Sequence, residues 1–151
     1  MINSKNGILK SLIQLRKICN HADICTDQFY KNPSWSNAHD FDLVKAGLHG
    51  YYQRSGKMVV VNTLLKLWKK QEGRVLLFSQ SRVMLDILEK FVQDSNYTYM
   101  RMDGTTNGKL RSNMVKKFNE SNSIFIFLLT TKVGGLGLNL IGANKVFFLF
   151  S

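Results

Sequence analysis

Residues 74–82 read Arg-Val-Leu-Leu-Phe-Ser-Gln-Ser-Arg, and this stretch decides the fold. Four apolar side chains stand in a row, from Val75 to Phe78. Such uninterrupted runs are typical of strands that are buried on both faces of a parallel sheet. Polar residues follow at once, from Ser79 to Ser81. The stretch therefore predicts a buried strand that ends in a polar loop.

The rest of the chain alternates helix and strand in the same way. Apolar spacing predicts helices over residues 57–71, 82–93 and 109–119, and strands over residues 74–79, 97–102, 124–130 and 146–150. This alternation favours an α/β fold with a doubly wound parallel sheet and right-handed crossovers. Ligands of such sheets sit at the carboxyl ends of the strands.

Two regions of different character are predicted along the 151 residues. Residues 1–54 hold an amphipathic helix over residues 8–20, which we expect to pack against another element, and an irregular polar connection over residues 26–38. Residues 55–151 form the main domain, whose first helix has Ser55 as its N-cap.

The composition favours an anionic partner. The chain has 21 Lys and Arg against 10 Asp and Glu, so its formal net charge is +11 and nucleic acid is the first candidate. The alternative is that the lysines only solvate helix faces. No apolar run approaches the ~20 residues of a membrane span, and the first ten residues lack a secretory signal. Cys19 and Cys25 match no zinc or disulfide framework, so we predict reduced thiols, with His21 as a structural residue and no metal site.

A glycine-rich stretch, residues 134–137, follows the strand predicted over residues 124–130. Glycines in this position let backbone N–H groups approach phosphate oxygens, although a tight structural turn is an equal alternative. A dinucleotide fingerprint requires glycine where Leu140 stands, and a Walker A loop requires Ser or Thr where Met58 stands. The chain therefore contains neither of these phosphate-binding motifs.

Hydroxyl side chains cluster after the predicted strands, where they could donate hydrogen bonds to phosphate oxygens. They are Ser79, Ser81, Thr105, Thr106, Thr130 and Thr131, with Arg82, Arg101 and Lys132 as nearby positive charges. The alternative for any single hydroxyl is a helix cap, as Ser81 could form before Arg82.

Five segments in this order resemble the signatures of the SWI/SNF-related ATPases. They are residues 15–21 (LRKICNH), 55–58 (SGKM), 75–82 (VLLFSQSR), 102–106 (MDGTT) and 129–140 (LTTKVGGLGLNL). The sequences of residues 50–57 and 84–89 are most similar to the Cockayne syndrome group B branch of that family, which acts in transcription-coupled repair. The resemblance covers nearly all of the chain.

The resemblance implies a RecA-like helicase C-terminal lobe that is truncated at its C-terminus, with helices on both faces of the sheet. Motif IV would supply Gln80 and Ser81, and the next motif Asp103, Gly104 and Thr105. With the basic residues and motif V, the expected DNA-binding set is Gln80, Ser81, Arg82, Asp103, Gly104, Thr105, Arg111, Thr130, Thr131 and Lys132. The expected nucleotide-cleft residues are Gly134, Gly135, Gly137 and Asn139.

The implied parent is a nuclear, ATP-dependent translocase on double-stranded DNA that acts in chromatin remodelling and transcription-coupled repair. It would use ATP and Mg²⁺ and pair this lobe with a first RecA-like lobe; nucleosomes and RNA polymerase are both possible substrates. The 151 residues contain no Walker A motif, acidic box or motif VI arginines, so we assign them no catalytic residue and expect the isolated chain to bind no nucleotide and to be inactive. The alternative is a non-catalytic basic scaffold that binds DNA or protein.

Overall fold

The computed structural model describes residues 3–25, 50–135 and 137–150. The connection predicted over residues 26–38 lies outside the described residues. Contacts between Cα atoms divide the chain into two compact units, and the boundary falls between Val59 and Val60.

The first unit opens with helix α1, Asn3–Asn20, which begins five residues before the predicted helix. The apolar side chains Ile8, Leu12 and Leu15 on this helix are all more than half exposed. Among the described residues of this unit, α1 therefore has no cover for its apolar positions, contrary to our expectation that it packs against another element. None of the described helices is both long and apolar enough to cross a membrane.

Asp23 joins the residues after α1 to the segment that begins at Gly50. Its Oδ2 accepts a hydrogen bond from the Gly50 N–H at 2.7 Å, and its Oδ1 lies 2.8 Å from both Nε and Nη2 of Arg54. The ring of buried His21 contacts the Tyr51 carbonyl at 3.1 Å and accepts from the Asp23 N–H at 3.2 Å. Burial alone would raise the pKa of Asp23, but the bonds from Arg54 and Gly50 and the nearby His21 lower it. His21 thus has structural partners, as predicted.

The next helix starts with a side-chain cap. A 3₁₀ turn, Tyr52–Arg54, leads into helix α2, Gly56–Lys70. The Ser55 hydroxyl accepts from the Met58 N–H at 3.3 Å, which confirms Ser55 as the N-cap. The same hydroxyl donates to the Asn20 carbonyl at 2.6 Å, so it also joins the N-cap residue to the end of α1 within the first unit.

The second unit alternates strands and helices as predicted. Its elements after α2 are β1 (Val75–Ser79), α3 (Arg82–Asp94), β2 (Tyr99–Met102), α4 (Gly108–Glu120), β3 (Ile126–Thr130), α5 (Thr131–Gly134) and β4 (Lys145–Leu149). The strands are one or two residues shorter or shifted relative to the predicted ranges. The sheet is wholly parallel with strand order β2-β3-β1-β4, so β1 and β3 are its central strands.

Helices cover both faces of this sheet. On one face, Phe127 of β3 packs against Phe118 of α4, with ring centroids 5.1 Å apart, and the same buried cluster includes Val133 of α5. On the opposite face, Phe147 of β4 meets the Trp68 ring of α2 edge-on at 6.5 Å. Every residue of β1 and β3 is buried, as the uninterrupted apolar runs predicted.

The last strand differs from the prediction. We expected a buried strand over residues 146–150, but β4 is an edge strand in which Val146 and Phe148 are about half exposed. Phe148 stacks on Phe78 at 4.7 Å and on Phe150 at 5.3 Å. Composition cannot distinguish an edge strand from a central one, because strand order depends on long-range pairing.

Candidate functional site at the carboxyl rim of the sheet

Three polar loops meet at one edge of the sheet, which we call the carboxyl rim. It consists of the loops that begin at Ser79, Asp103 and Thr130, after β1, β2 and β3 respectively. Ser79 pairs in register with Thr130, and Met102, immediately before Asp103, pairs with Leu129. Because the strands are parallel and end in step, the three loops leave the sheet on the same side. The polar loops predicted to follow these three strands therefore lie together at one edge of the sheet.

The loop after β1 has an internal set of hydrogen bonds. The Ser79 hydroxyl donates to the Ser81 carbonyl at 3.2 Å and accepts from the Ser81 N–H at 3.3 Å. The Ser81 hydroxyl accepts from the Met84 N–H at 3.3 Å, so it caps α3, as the alternative for this residue proposed. Gln80 and Arg82 are exposed on either side of it.

The loop after β2 is organised around the buried carboxylate of Asp103. Its Oδ1 accepts from the Thr105 N–H at 2.9 Å and from the Thr105 hydroxyl at 2.6 Å. The Thr106 hydroxyl accepts from the Asp103 N–H at 3.1 Å, and the Thr106 N–H donates to the Asp103 carbonyl at 3.0 Å. The bonds from Thr105, helped by Arg101, lower the pKa of Asp103 to about 2. Asp103 is thus placed to shape the loop, because its oxygens are already bonded within the chain.

Two arginines brace this loop from outside. Arg101 contacts Asp103 Oδ2 at 3.0 Å, Glu89 Oε2 at 2.5 Å and Asp86 Oδ1 at 2.7 Å, and these three carboxylates raise its pKa against the effect of burial. Arg111 donates from Nε to the Thr106 carbonyl at 2.8 Å. We expected a nearby positive charge from Arg101 and a DNA contact from Arg111; the structure shows both side chains bonded to the protein.

The loop after β3 begins with a buried hydroxyl, that of Thr130, which has no hydrogen-bond partner among the described residues. Thr130 is only 5% exposed, and its Oγ1 is the one buried side-chain polar atom in the described part of the chain that has no hydrogen-bond partner. Thr130 stands at the N-cap position of α5 but makes no side-chain cap bond. Thr131 is half-buried, and Lys132 is exposed at the rim.

The glycine-rich stretch serves more than one structural need. A Cβ on Gly134 would lie 2.5 Å from the Phe78 ring, so this position requires glycine for packing alone. A Cβ on Gly135 would make only ordinary contacts at 3.6 Å. Gly137 has φ of +72°, a left-handed conformation that glycine adopts without strain. Asn139 is exposed and follows this turn.

Sequence reasoning missed Asn119, at the end of α4. Its side chain is bonded to the segment after Gly137, through the carbonyl of Asn139 and the N–H of Gly142. No motif marks an asparagine in the last turn of a helix, and only the tertiary contact identifies it.

Exposed basic side chains at the rim include Arg82 and Lys132. Within residues 3–25, 50–135 and 137–150, no three His, Cys, Asp or Glu side chains are grouped so that they could hold a metal ion. Groups at the rim that can bond a phosphate include the amides of the glycine turn (Gly134, Gly135 and Gly137), the Thr131 hydroxyl and the Arg82 and Lys132 side chains.

Comparisons with known proteins agree with this architecture. The sequence matches the helicase conserved C-terminal domain family over residues 56–150. DNA excision repair protein ERCC-6 of Homo sapiens is 52% identical over 146 residues, which is 97% of this chain and 10% of that protein.

Two solved structures show the same fold. The C-terminal part of the Fun30 ATPase domain superposes with a TM-score of 0.62 and 38% identity, over 65% of this chain and 32% of that one. The Sulfolobus solfataricus SWI2/SNF2 ATPase core in complex with double-stranded DNA gives a TM-score of 0.73 at 22% identity, over 99% of this chain and 28% of that one.

These matches confirm the resemblance to SWI/SNF-related ATPases and the RecA-like fold expected from it. The chain spans about a tenth of the length of the curated relatives it matches. The matched region, residues 56–150, is most of the chain and contains the whole carboxyl rim. The chain belongs to the helicase conserved C-terminal domain family.

Proposed function

We propose that this chain is the second motor lobe of an ATP-dependent translocase on double-stranded DNA, and that the carboxyl rim holds the DNA backbone. The observation that carries the proposal is the register of β1, β2 and β3, which brings three loops with hydroxyl and basic side chains to one edge. The solved SWI2/SNF2 ATPase core that shares this fold is in complex with double-stranded DNA.

Within this proposal, the rim residues divide into two groups. Five exposed or half-buried residues contact phosphate oxygens: Gln80, Arg82, Gly104, Thr131 and Lys132. The other members of the expected DNA-binding set are Ser81, Asp103, Thr105, Arg111 and Thr130. The first four of these hold the loops in shape through hydrogen bonds within the chain. Phosphate contacts of this kind give affinity without sequence preference, and counterion release makes that affinity fall with salt.

The glycine turn faces the other ligand in this proposal. Backbone amides near Gly134, Gly135 and Gly137, with the exposed Asn139 side chain, form one wall of the ATP cleft. Phosphoryl transfer also requires a phosphate-binding lysine, a magnesium ion and an arginine, and these would come from the first lobe and from motif VI. The lobe described here accordingly contributes position and DNA contact, and we expect the isolated chain to hydrolyse ATP at background.

The relatives support a nuclear setting for the proposed motor. A protein similar to a DNA excision repair protein over 97% of this chain would act in the nucleus, in transcription-coupled repair or in chromatin remodelling. Stalled RNA polymerase and nucleosomes are then the substrates to compare. Because ERCC-6 is named for excision repair, we place stalled polymerase first.

The test is DNA-stimulated ATP hydrolysis by the complete motor protein. We expect Thr131→Ala to lower the DNA-stimulated rate by about tenfold, equivalent to about 1.4 kcal/mol, because the variant removes one phosphate-bonding hydroxyl. The unfolding free energy of the lobe should change by less than about 1 kcal/mol, since Thr131 is half-buried. Displacement of a third strand from a DNA triplex would report translocation directly.

Two results would count against the motor. Unchanged stimulation in the Thr131→Ala protein would remove this hydroxyl from the contact set. Tight DNA binding by a complete protein that shows no ATP hydrolysis would favour the alternative, a basic scaffold that binds DNA or protein.

A further inference from the structure

Helix α4 is bonded at both of its ends to loops that the proposed function assigns to different ligands. At its start, Asn107 caps the helix by accepting from the Lys109 N–H at 3.0 Å, and Arg111 donates to the Thr106 carbonyl at 2.8 Å and to the Gly104 carbonyl at 3.4 Å. The first turn of α4 is thus fastened to the loop after β2, on the side proposed to contact DNA.

The last turn of α4 is fastened to the segment that follows the glycine turn. Asn119 Nδ2 donates to the Asn139 carbonyl at 2.9 Å, and Asn119 Oδ1 accepts from the Gly142 N–H at 3.0 Å. A carboxamide carries both a donor and an acceptor, so a single side chain spans the turn and sets its position on the helix.

Close packing supports this bridge. A Cβ on Gly142 would lie 2.9 Å from the Asn119 Cα and 2.8 Å from Arg74 Nη1, so the segment passes the helix at backbone distance. Leu138 and Leu140, on the same segment, pack against the core cluster beneath α4. The segment that carries Asn139 is therefore held against the helix by hydrogen bonds and by apolar contact.

The helix itself is firmly seated between these two attachments. Phe118 is fully buried and packs on Phe127, while the Arg74 guanidinium lies 4.2 Å over the Phe118 ring. Arg74 also donates to the carbonyls of Phe118 and Ile124. At 1.5 Å per residue, the 13 residues of α4 reach about 20 Å, far enough to join two sides of the lobe.

We propose that α4 is a coupling strut between the DNA-side loop (Asp103–Thr106) and the nucleotide-side segment (Gly137–Gly142), and that Asn119 is the positioning residue at its nucleotide end. The inference rests on the proposed function. A displacement of the DNA-side loop is carried through Arg111 into α4, and through Asn119 to the cleft wall. Contiguous hydrogen bonds and packed side chains are one route by which two sites are coupled, and the coupling itself is what the experiment must measure.

The experiment uses the complete motor protein with Asn119→Ala, and with Asn113→Ala as the matched control. Asn113 is an exposed asparagine on the same helix, six residues earlier. We expect Asn119→Ala to bind duplex DNA as tightly as wild type but to lose DNA stimulation of ATP hydrolysis by at least about fivefold, the lower end of usual coupling strengths. Asn113→Ala should keep full stimulation.

A second variant and a fold measurement guard against simple unfolding. Asn119→Asp keeps the acceptor for the Gly142 N–H but replaces the donor to the Asn139 carbonyl with a carboxylate oxygen, and it should also lose stimulation. Amide exchange should speed up at Gly142 in Asn119→Ala while β3 remains protected. This pattern would show that the bridge opened in a folded lobe.

A double-variant cycle tests the strut as a unit. If Arg111 and Asn119 act through one helix, Arg111→Gln with Asn119→Ala should reduce stimulation no more than the stronger single variant. Multiplicative losses, or full stimulation in Asn119→Ala, would overturn the strut and leave the motor intact. A wild-type protein without DNA-stimulated hydrolysis would instead refute the proposed function, and the strut with it.

Discussion

Ser79 and Thr130 stand side by side at the carboxyl ends of β1 and β3, yet only the Ser79 hydroxyl has a partner. The Thr130 hydroxyl is buried without a hydrogen bond in the described part of the chain. A buried polar group that lacks a partner costs about 1–3 kcal/mol. A site that binds a ligand, or that a moving loop covers, would leave such a hydroxyl unsatisfied at the centre of the rim.

We therefore predict opposite effects of Thr130→Val on stability and on activity. The variant keeps the side-chain shape and removes the unsatisfied hydroxyl, so urea unfolding of the lobe should show a free energy that is equal or higher by up to about 1 kcal/mol. DNA-stimulated ATP hydrolysis by the complete protein should fall. A variant that is clearly less stable would show that Thr130 has a structural partner in solution.

Gly134 is predicted to be essential for packing, whereas the adjacent Gly135 is not. Gly134→Ala would push a methyl group into the Phe78 ring and should lower the unfolding free energy by about 1–3 kcal/mol, the usual cost of overpacking. Gly135→Ala, the matched control, meets only ordinary contacts and should change it by less than about 1 kcal/mol. Equal effects of the two variants in thermal or urea unfolding would contradict the expected clash with the Phe78 ring.

The lowered pKa of Asp103 predicts that the unfolding free energy of the lobe falls in acid. Its pKa is about 2 in the folded lobe against 3.8 for an ordinary Asp, so the unfolded chain takes up the proton first. The stabilisation is therefore complete above pH 3.8 and is lost as the pH falls towards about 2. Asp103→Asn should lower the unfolding free energy at pH 7 by about 1.5–3 kcal/mol, because it weakens charged hydrogen bonds.

The control for this prediction is Asp94→Asn, at an exposed position at the end of α3. Asp23, whose pKa is also lowered, contributes acid sensitivity in both proteins. Urea titrations from pH 5 to about pH 2 should thus give a shallower decline for Asp103→Asn than for Asp94→Asn. Parallel curves would mean that the Asp103 carboxylate does not hold the loop.

Lys132 is predicted to contact a DNA phosphate. Lys132→Ala should weaken duplex binding to a similar extent for all sequences and reduce the slope of log K against log salt by about 0.9, the value for one phosphate contact. Lys66→Ala, at an exposed lysine on α2, should leave that slope unchanged. Fluorescence anisotropy across a salt series measures both, and equal slopes for Lys132→Ala and wild type would place Lys132 away from the backbone.

Much of the fold was predictable because it depends on local patterns. The runs in β1 and β3 predicted buried parallel strands, and the helix periods predicted α2, α3 and α4 to within a few residues. The sequence also predicted Ser55 as a cap, since capping is a local interaction. The exposed edge strand β4 was not predictable, because a strand's neighbours are chosen by long-range pairing.

By itself, the sequence determined which residues follow the strands, the order of the motifs and the basic charge. These are properties of the chain, and parallel strands then bring their carboxyl ends to one rim. Only the tertiary structure decided what each residue does there. Asp103 and Arg111 are bonded within the protein, and the Phe78 ring leaves no room for a side chain at Gly134. Asn119 joins α4 to the nucleotide-side segment. Hydrogen bonds and close packing between distant residues depend on distances of a few ångströms, and no spacing along the chain encodes them.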